Sequence, residues 1–404
     1  MNDEWVETTL GKVLDPVKDR VGESESMQIL SVTEKRGIIP QEQVFKKRIA
    51  TEDISKYKVL RPLDIAYNPY LLWTGAVGQW LGSEPGATSP VYECFRAKEE
   101  VDPRYIGLVL ESGLLTPYFD STAIGSIRRR RRTTPAVFNA ASISLPPLPV
   151  QRRIVDLMAH LDNHLANLQT ERDAAAQLLS SLLSGWDNRV SHAPLRQFGD
   201  LCTPRSGPSW KSSEETAHKT DGAKRVIKIT NTRPDGSLDM SDETYVVGLP
   251  ESVKLLNDRS LIIVRTNGNR DRIGNVYRPT PDAYGCAVSA FQFQAECESS
   301  DARDWLFWWL TSPARQRAMS EAASGTTGLG NLAAGWLKKM QVPWPTASER
   351  ADLLAPVEAL STLIQNLGVE YNDTRILRSA TLQELLAADC TIDPNYDSLL
   401  SEVA

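Results

Sequence analysis

The chain has 404 residues, 41% hydrophobic and 24% charged, with five cysteines and a net charge of −6 at pH 7. That length fits two domains plus connectors, and the composition is ordinary for a soluble globular protein. No apolar run approaches the ~18 residues of a membrane span, and the N-terminus, MNDEWVETTLG, shows no basic-then-apolar signal, so a cytoplasmic protein with no membrane role is expected.

Residues 1–148 form a first block. It opens with TLGKVLDPV and continues in short apolar pieces separated by polar turns: MQILSV, the basic turn Glu34-Lys35-Arg36-Gly37, VLRPLDIAYNPY, GAVGQWLG and SPVYECFRA. Pieces of four to eight residues rich in Val, Ile and Tyr predict strands. PRYIGLVLESGLLTPYF (103–119) predicts one helix with an apolar face, and Gly125-Ser126-Ile127 leads into five arginines, Arg128 to Arg132.

A long helix and its linker follow over 149–192. Ile154, Met158, Leu161, Leu165, Leu168, Arg172, Ala175, Leu179 and Leu182 alternate in steps of four and three, the seam of a coiled coil interrupted only by Arg172. Prolines at 146, 147 and 149 predict an extended lead-in with the helix starting near Val150, and Gly185 predicts a left-handed end.

The second block, 193–345, repeats the order. RVIKITNTRPDG, SLIIVRTNGNRDRIGNVYRP, CAVSAFQFQA, a helix over ARDWLFWWLTSPARQRAM, and SGTTGLGNLAAGWLKKMQVPWP stand 197 to 200 residues after their counterparts. A second seam in 346–388, Leu353, Val357, Leu360, Ile364, Leu367, Tyr371 and Thr374, lies 199 residues after the first. The chain is therefore a duplication with divergence. Residues 389–404 form an acidic tail. The acidity of the chain is confined to its end: 346–404 holds 3 basic and 10 acidic residues, against 19 and 19 in 1–148, 4 and 5 in 149–192, and 19 and 17 in 193–345. The two blocks thus stay open to nucleic acid, whereas the second helix and tail are poor phosphate binders.

The lead-in PLPVQRRIVDLMAHLD (147–162), its diluted copy WPTASERADLLAPVEAL (344–360), and the turns TPRSGPSWK (203–211) and SGTTGLGN (324–331) resemble the DNA-specificity subunit of type I restriction-modification systems over roughly residues 5–388. In the copy, Glu349-Arg350 stands for the Gln-Arg of the lead-in, and Pro356 falls inside the expected helix. The resemblance implies a mixed α/β (α+β) chain in which two target-recognition domains with β-rich cores alternate with two long helices. It also implies a non-catalytic protein that binds double-stranded DNA, two methyltransferase subunits carrying S-adenosylmethionine, and restriction/translocase subunits using ATP and Mg²⁺. No cofactor or metal is expected on this chain.

The residues themselves offer no complete catalytic set. Asn68-Pro69-Tyr70 lacks the second proline of an amino-methyltransferase motif, no phosphate-binding G-x-x-x-x-G-K-[ST] loop occurs, and Pro234-Asp235 and Pro281-Asp282 have no following acid-x-Lys. His160 and His164 have metal-motif spacing but no Glu or third ligand near them. Five cysteines without a C-x-x-C pair predict reduced thiols.

The positive signal is polar groups at matching strand ends. DNA reading needs Arg and Lys for phosphates and Arg, Asn or Gln for base edges. The candidates are Lys35, Arg36, Tyr67, Asn68 and the arginine run Arg128, Arg129, Arg130, Arg131 and Arg132 in block one, and Lys211, Asn231, Arg233, Asn267, Asn269, Arg270 and Arg272 in block two. The expected architecture is two recognition domains on an antiparallel pair of helices with pseudo-two-fold symmetry, reading a split, asymmetric site, which the resemblance implies is the target for adenine-N6 methylation or restriction. The alternative is a coiled-coil scaffold joining two protein-binding domains with no DNA role.

Overall fold

The structure is a computed structural model that describes residues 5–22, 27–34, 36–45, 53–125, 131–234, 236–325, 328–388, 392–393 and 396. The chain forms two compact units, residues 1–169 with 369–404 and residues 170–368, so each long helix is shared between them.

Unit 1 runs β1 (Val6–Thr9), α1 (Leu10–Val13), β2 (Leu14–Pro16), β3 (Ile29–Thr33), β4 (Gly37–Pro40), β5 (Lys58–Leu60), β6 (Ile65–Tyr67), β7 (Val77–Gln79), β8 (Gly86–Thr88), β9 (Glu93–Ala97), α2 (Pro103–Glu111), α3 (Thr116–Thr122), α4 (Pro135–Ala140), β10 (Ser142–Leu145) and the first part of α5 (Leu148–Ser184). An antiparallel sheet, β2-β9-β6-β7, carries the core; a mixed sheet, β4-β3-β8-β5, lies beside it with β3 and β8 parallel; β1 pairs with β10. Tyr67, Phe95, Phe119 and Phe138 stack in the core together with Ile154 and Met158 of α5. Burying each such side chain contributes about 1.5–3 kcal/mol. The helix expected over 103–119 is two helices, because Gly113 takes φ +78° and Pro117 opens the second. α5 begins at Leu148, two residues earlier than expected, since Pro149 fits the first turn, where its missing N–H has no helical partner.

Unit 2 continues with α6 (Trp186–Arg189), β11 (Leu195–Gln197), α7 (Phe198–Leu201), β12 (Cys202–Ser206), β13 (Glu215–Thr216), β14 (Lys224–Ile227), β15 (Thr244–Val246), β16 (Ser260–Val264), β17 (Thr266–Asn267), β18 (Val276–Tyr277), β19 (Ala287–Val288), β20 (Gln292–Cys297), α8 (Ser300–Thr311), α9 (Pro313–Ala322), β21 (Gly330–Asn331), α10 (Ala334–Lys339), β22 (Gln341–Pro343) and α11 (Ala347–Leu386). The first sheet, β12-β20-β16-β18, repeats β2-β9-β6-β7; the second, β13-β15-β14-β19, again holds one parallel pair, β14 with β19; β11 pairs with β22. The helix expected over 302–319 is broken at Ser312-Pro313, where the ring cannot continue the hydrogen-bond ladder. Gly185 is not left-handed: with φ −83° it leads directly into α6, whose Trp186 stacks on Trp305 at 5.0 Å.

Within each unit the two helix segments run antiparallel, as Arg378 to Asp162 (2.5 and 2.7 Å) and His164 to Glu370 (3.3 Å) show in unit 1. None of the seam residues is exposed: Ile154, Met158, Leu168, Ala175, Val357 and Leu367 are buried, and Leu161, Leu165, Leu179, Leu182, Leu353, Leu360, Ile364, Tyr371 and Thr374 are partly buried. Arg172, the interruption, is partly buried and packs against Gly368, where a Cβ would lie in ordinary contact 3.8 Å from its guanidinium carbon. α11 runs unbroken through the exposed Pro356, so the expected disruption does not interrupt it.

The lead-ins have one architecture with two chemistries. Gln151, 1% exposed, donates to Pro146 O (2.8 Å) and accepts from the Asp102 N–H (2.8 Å) at the start of α2. Arg350, 6% exposed, donates to Pro345 O (2.6 Å), pairs with Asp301 at the start of α8 and lies over the Trp344 ring. Arg350 thus takes the place of Gln151, not of Arg152. Glu349 instead completes a capping box with Thr346, whose hydroxyl and N–H, joined by His192, hold its carboxyl down at about 2.

The expectation of free thiols fails for one pair. Cys202 and Cys297 lie opposite each other in register across β12 and β20, Cα atoms 4.1 Å apart, and form a disulfide. Cys94 and Cys286 are buried and unpaired, burial pushing the Cys94 thiol up to about 12; Cys390 lies outside the described residues.

Candidate nucleic-acid interface

In both units the loop leaving the third strand of the core sheet meets the turn that precedes the short helix α4 or α10. The strand fixes where the loop emerges, and backbone bonds fix the meeting. In unit 1 the Thr133 N–H donates to Pro69 O (2.8 Å), while Ile124 and Arg132 exchange two backbone bonds of 2.9 Å. In unit 2, β17 pairs with β21, and Ser324 and Asn331 exchange the matching bonds at 3.0 and 2.8 Å. Gly325 has to be glycine, with φ +125° and room for no Cβ, which would lie 2.4 Å from Leu329 O.

The unit 1 loop turns on Asn68, whose Oδ1 accepts the Tyr70 N–H at 3.0 Å. It presents Tyr70, 43% exposed, and Leu71, 36% exposed. Arg132 is exposed and lies 6.0 Å over the Tyr70 ring; Arg131 lies 4.7 Å over Trp73 and pairs with Asp120 at 2.6 Å. Stacked in this way Arg132 is held at the surface with its charge available, whereas Asp120 neutralises Arg131. Arg128, Arg129 and Arg130 lie outside the described residues, as does Lys35. Arg36 is exposed and donates to Gln43 O at 3.1 Å. Tyr67 is a correction: it is fully buried, because strand alternation points it into the aromatic core, and burial pushes its hydroxyl well above the usual phenol range.

The unit 2 loop is polar. Asn267 Oδ1 accepts the Asn269 N–H (2.8 Å), and Asn269 Oδ1 accepts the Asp271 N–H (3.0 Å), leaving both side-chain amides at the surface or near it. Arg270 is exposed but anchored, donating to Ala323 O (2.5 Å) and Gly325 O (3.4 Å), so it ties the two loops together. Arg272 points inward to the Thr232 carbonyl, Thr232 Oγ1 (3.1 Å) and Tyr277 Oη (3.4 Å). Asn231 is 2% exposed and fully used, accepting from Lys228 N and donating to Asp239 O and Asp242 O. Arg272 and Asn231 therefore shape the loops and are not free to read bases, which corrects both expectations. Arg233 is exposed and pairs with Asp239, whose carboxyl Ser241 and Arg233 hold below the usual carboxylate range. Lys211 is exposed, away from these loops in sequence, its N–H held by Glu214 at 2.8 Å.

Tyr70, Trp73 and Arg265 join the candidate interface without having stood among the expected residues. Arg265 lies 5.5 Å over Phe293 and donates to Ser206 Oγ at 2.9 Å. Tyr70 and Trp73 were visible as aromatics directly after Asn68. His160 and His164 are separately engaged, by Asp156 O at 2.8 Å and by Glu370, and among the described residues no three His, Cys, Asp or Glu side chains gather as a metal site. No described helix is long and apolar enough to cross a membrane.

No protein-family model matches the chain, and no curated protein matches its sequence. Two solved structures share its fold over nearly its whole length. One, described as the structural basis underlying complex assembly and conformational transition of the type I R-M system, matches with TM-score 0.58 at 15% identity, covering 95% of this chain and 97% of that one. The other, the type I restriction-modification system S subunit from M. genitalium, matches with TM-score 0.57 at 14% identity, covering 95% and 96%. The duplicated sheets, the paired long helices and these two likenesses give this chain the fold of a type I restriction-modification S subunit.

Proposed function

We propose that the chain is the DNA-specificity subunit of a type I restriction-modification complex, itself without catalysis. It directs two methyltransferase subunits, which carry S-adenosylmethionine, and ATP- and Mg²⁺-dependent restriction subunits to a split, asymmetric duplex site. The observation that carries this reading is the pairing, in each unit, of a strand-end loop with a Gly- or Arg-rich turn. These are the sequence segments that independently carried the DNA signal. Their divergence supports different half-sites: unit 1 offers aromatic, apolar and cationic groups, unit 2 amides and an anchored arginine.

Mapping adenine methylation in the host genome with and without this chain tests the reading. A two-part motif should disappear on deletion; an unchanged methylome together with no salt-dependent DNA affinity would leave the scaffold alternative standing. Replacing Arg128 to Arg132 with Gln should weaken binding about equally on all duplexes, and the slope of log affinity against log salt should fall by roughly 0.9 for each phosphate that the variant no longer neutralises.

A further inference from the structure

Beside the unit 2 loops lies a groove of about 230 Å³, bounded by Arg205, Ser206 and Gly207 on one side and by Ser252 and Lys254 on the other. Its lining holds two cations and two serine hydroxyls and no carboxylate. Arg205 and Lys254 are both exposed, and neither forms an ion pair among the described residues. The groove is built into the fold. A Cβ at Gly207 would lie 2.0 Å from Val288 O, so only glycine lets this turn close, and the Gly207 N–H donates to Gln292 O at 3.1 Å.

Its position follows from strand register. Ser206 lies opposite Phe293, and Val264 opposite Gln292, so Arg205–Gly207 emerges at the sheet end from which Arg265–Asn267 emerges; Arg265 bonds Ser206 across that end. Among the described residues unit 1 shows no equivalent. Pro16 opposite Phe95 corresponds to Pro204 opposite Ala295, and the residues that follow Pro16 enter a cleft where four carboxylates, Asp15, Asp19, Glu99 and Glu100, face Lys18, Arg96 and Lys98, with Lys98 paired to Asp15 and Arg96 to Asp64.

We propose that this groove binds one backbone phosphate of the DNA next to the stretch read by unit 2. A guanidinium, an ammonium and hydroxyl donors without a competing acid suit a phosphate, and contacts of this kind set position and register without selecting sequence. The proposal rests on the DNA-binding reading above.

The test uses the full chain with fluorescent duplexes, one carrying the mapped motif and one scrambled, titrated between about 50 and 200 mM salt. Arg205→Gln with Lys254→Gln should weaken binding by a similar factor on both duplexes and lower the salt slope by about 0.9. Ser252→Glu, at an exposed position, should weaken binding at least as much by placing a negative charge in the groove; an unchanged melting temperature excludes misfolding as the cause. Wild-type affinity and slope in both variants would overturn the groove proposal alone. A loss confined to the cognate duplex would also overturn it, making the groove part of base reading. Absence of salt-dependent DNA affinity in the wild-type chain would overturn the functional reading itself, and the groove with it.

Discussion

Unit 1 holds the start of its long helix with the amide of Gln151, and unit 2 does the same with the guanidinium of Arg350. A second anchor repeats in the same way: the Tyr105 hydroxyl donates to Ser144 O, and the Trp305 indole to Pro343 O, both at 3.0 Å. Each copy keeps the backbone carbonyls that must be satisfied, Pro146 and Ser144 against Pro345 and Pro343, and changes the side chain that satisfies them; the second partner changes from the Asp102 N–H to the Asp301 carboxylate. The reason is energetic, since a buried carbonyl or N–H left unpaired costs about 1–3 kcal/mol whichever residue was its partner. The exposed candidate loops carry less of this constraint. Tyr70, Leu71 and Trp73 in one unit, and Asn267, Asn269 and Arg270 in the other, sit on loops of unequal length that leave the same strand of the core sheet. Divergence therefore concentrates where water, and in the proposed function DNA, replaces protein as the partner.

The clamps give the largest expected effect. Arg350→Ala should destabilise unit 2 by about 2–4 kcal/mol, below the 3–5 kcal/mol of a fully buried pair because the Asp301 side chain is 48% exposed. Gln151→Ala should cost unit 1 about 1–3 kcal/mol. Denaturant unfolding of the full chain, followed by hydrogen exchange resolved to each unit, distinguishes the two. Equal loosening of both units by either variant would mean the clamps are not local.

A smaller effect, on specificity, tests the loops. Alanine at Tyr70 should relax base choice in one half of the methylated motif, and alanine at Asn267 or Asn269 in the other, each by about 1–3 kcal/mol on the affected half-site. Methylation mapping of each variant reads this directly, and relaxation of both halves by one substitution would break the assignment of one loop to one half-site.

The smallest effect concerns a knot present only in unit 2. Arg278 binds Glu358 at 2.6 and 2.9 Å and Asp304 at 3.1 Å, and the Trp308 indole donates to Glu358 at 2.6 Å. The unit 1 counterparts of Trp308 and Glu358 at the 199-residue spacing are Val109 and Ala159. Burial raises the Glu358 carboxyl, but the bonds from Arg278 and Trp308 outweigh it, and the net shift is downward. A depressed folded value means that the stabilisation is complete above the unfolded carboxylate value of about 4.3 and is lost as pH falls through the folded one. Glu358→Gln should flatten that acid limb for unit 2 and leave unit 1 unchanged; an identical acid limb in the variant would show that the knot adds nothing.

What the sequence revealed was local. The seam was legible because a seven-residue period repeats within a single helix, and the strands because their apolar pieces end at turns. The breaks at Gly113 and at Ser312-Pro313 were present as residues, yet the apolar run on either side masked them. The misreadings came from contacts distant in the chain. Asn231 is buried because the segment at Asp239–Asp242 folds back over it, and Arg272 turns inward because Thr232 lies 40 residues away in the chain but beside it in space. Cys202 and Cys297, 95 residues apart, meet through strand register, which cysteine spacing does not reveal.

The division of the helices bears on the order in which the molecule is made. Unit 2 is one continuous stretch, residues 170–368, whereas the core of unit 1 includes Leu382, Leu385 and Leu386, which leave the ribosome more than 200 residues after Met158. At 5–20 residues per second, unit 1 waits on the order of 10–45 s with the seam of its first helix uncovered, while unit 2 can complete its own core. The first unit to begin is thus the last to close, and until then Ile154 and Met158 are the apolar surface a chaperone would meet.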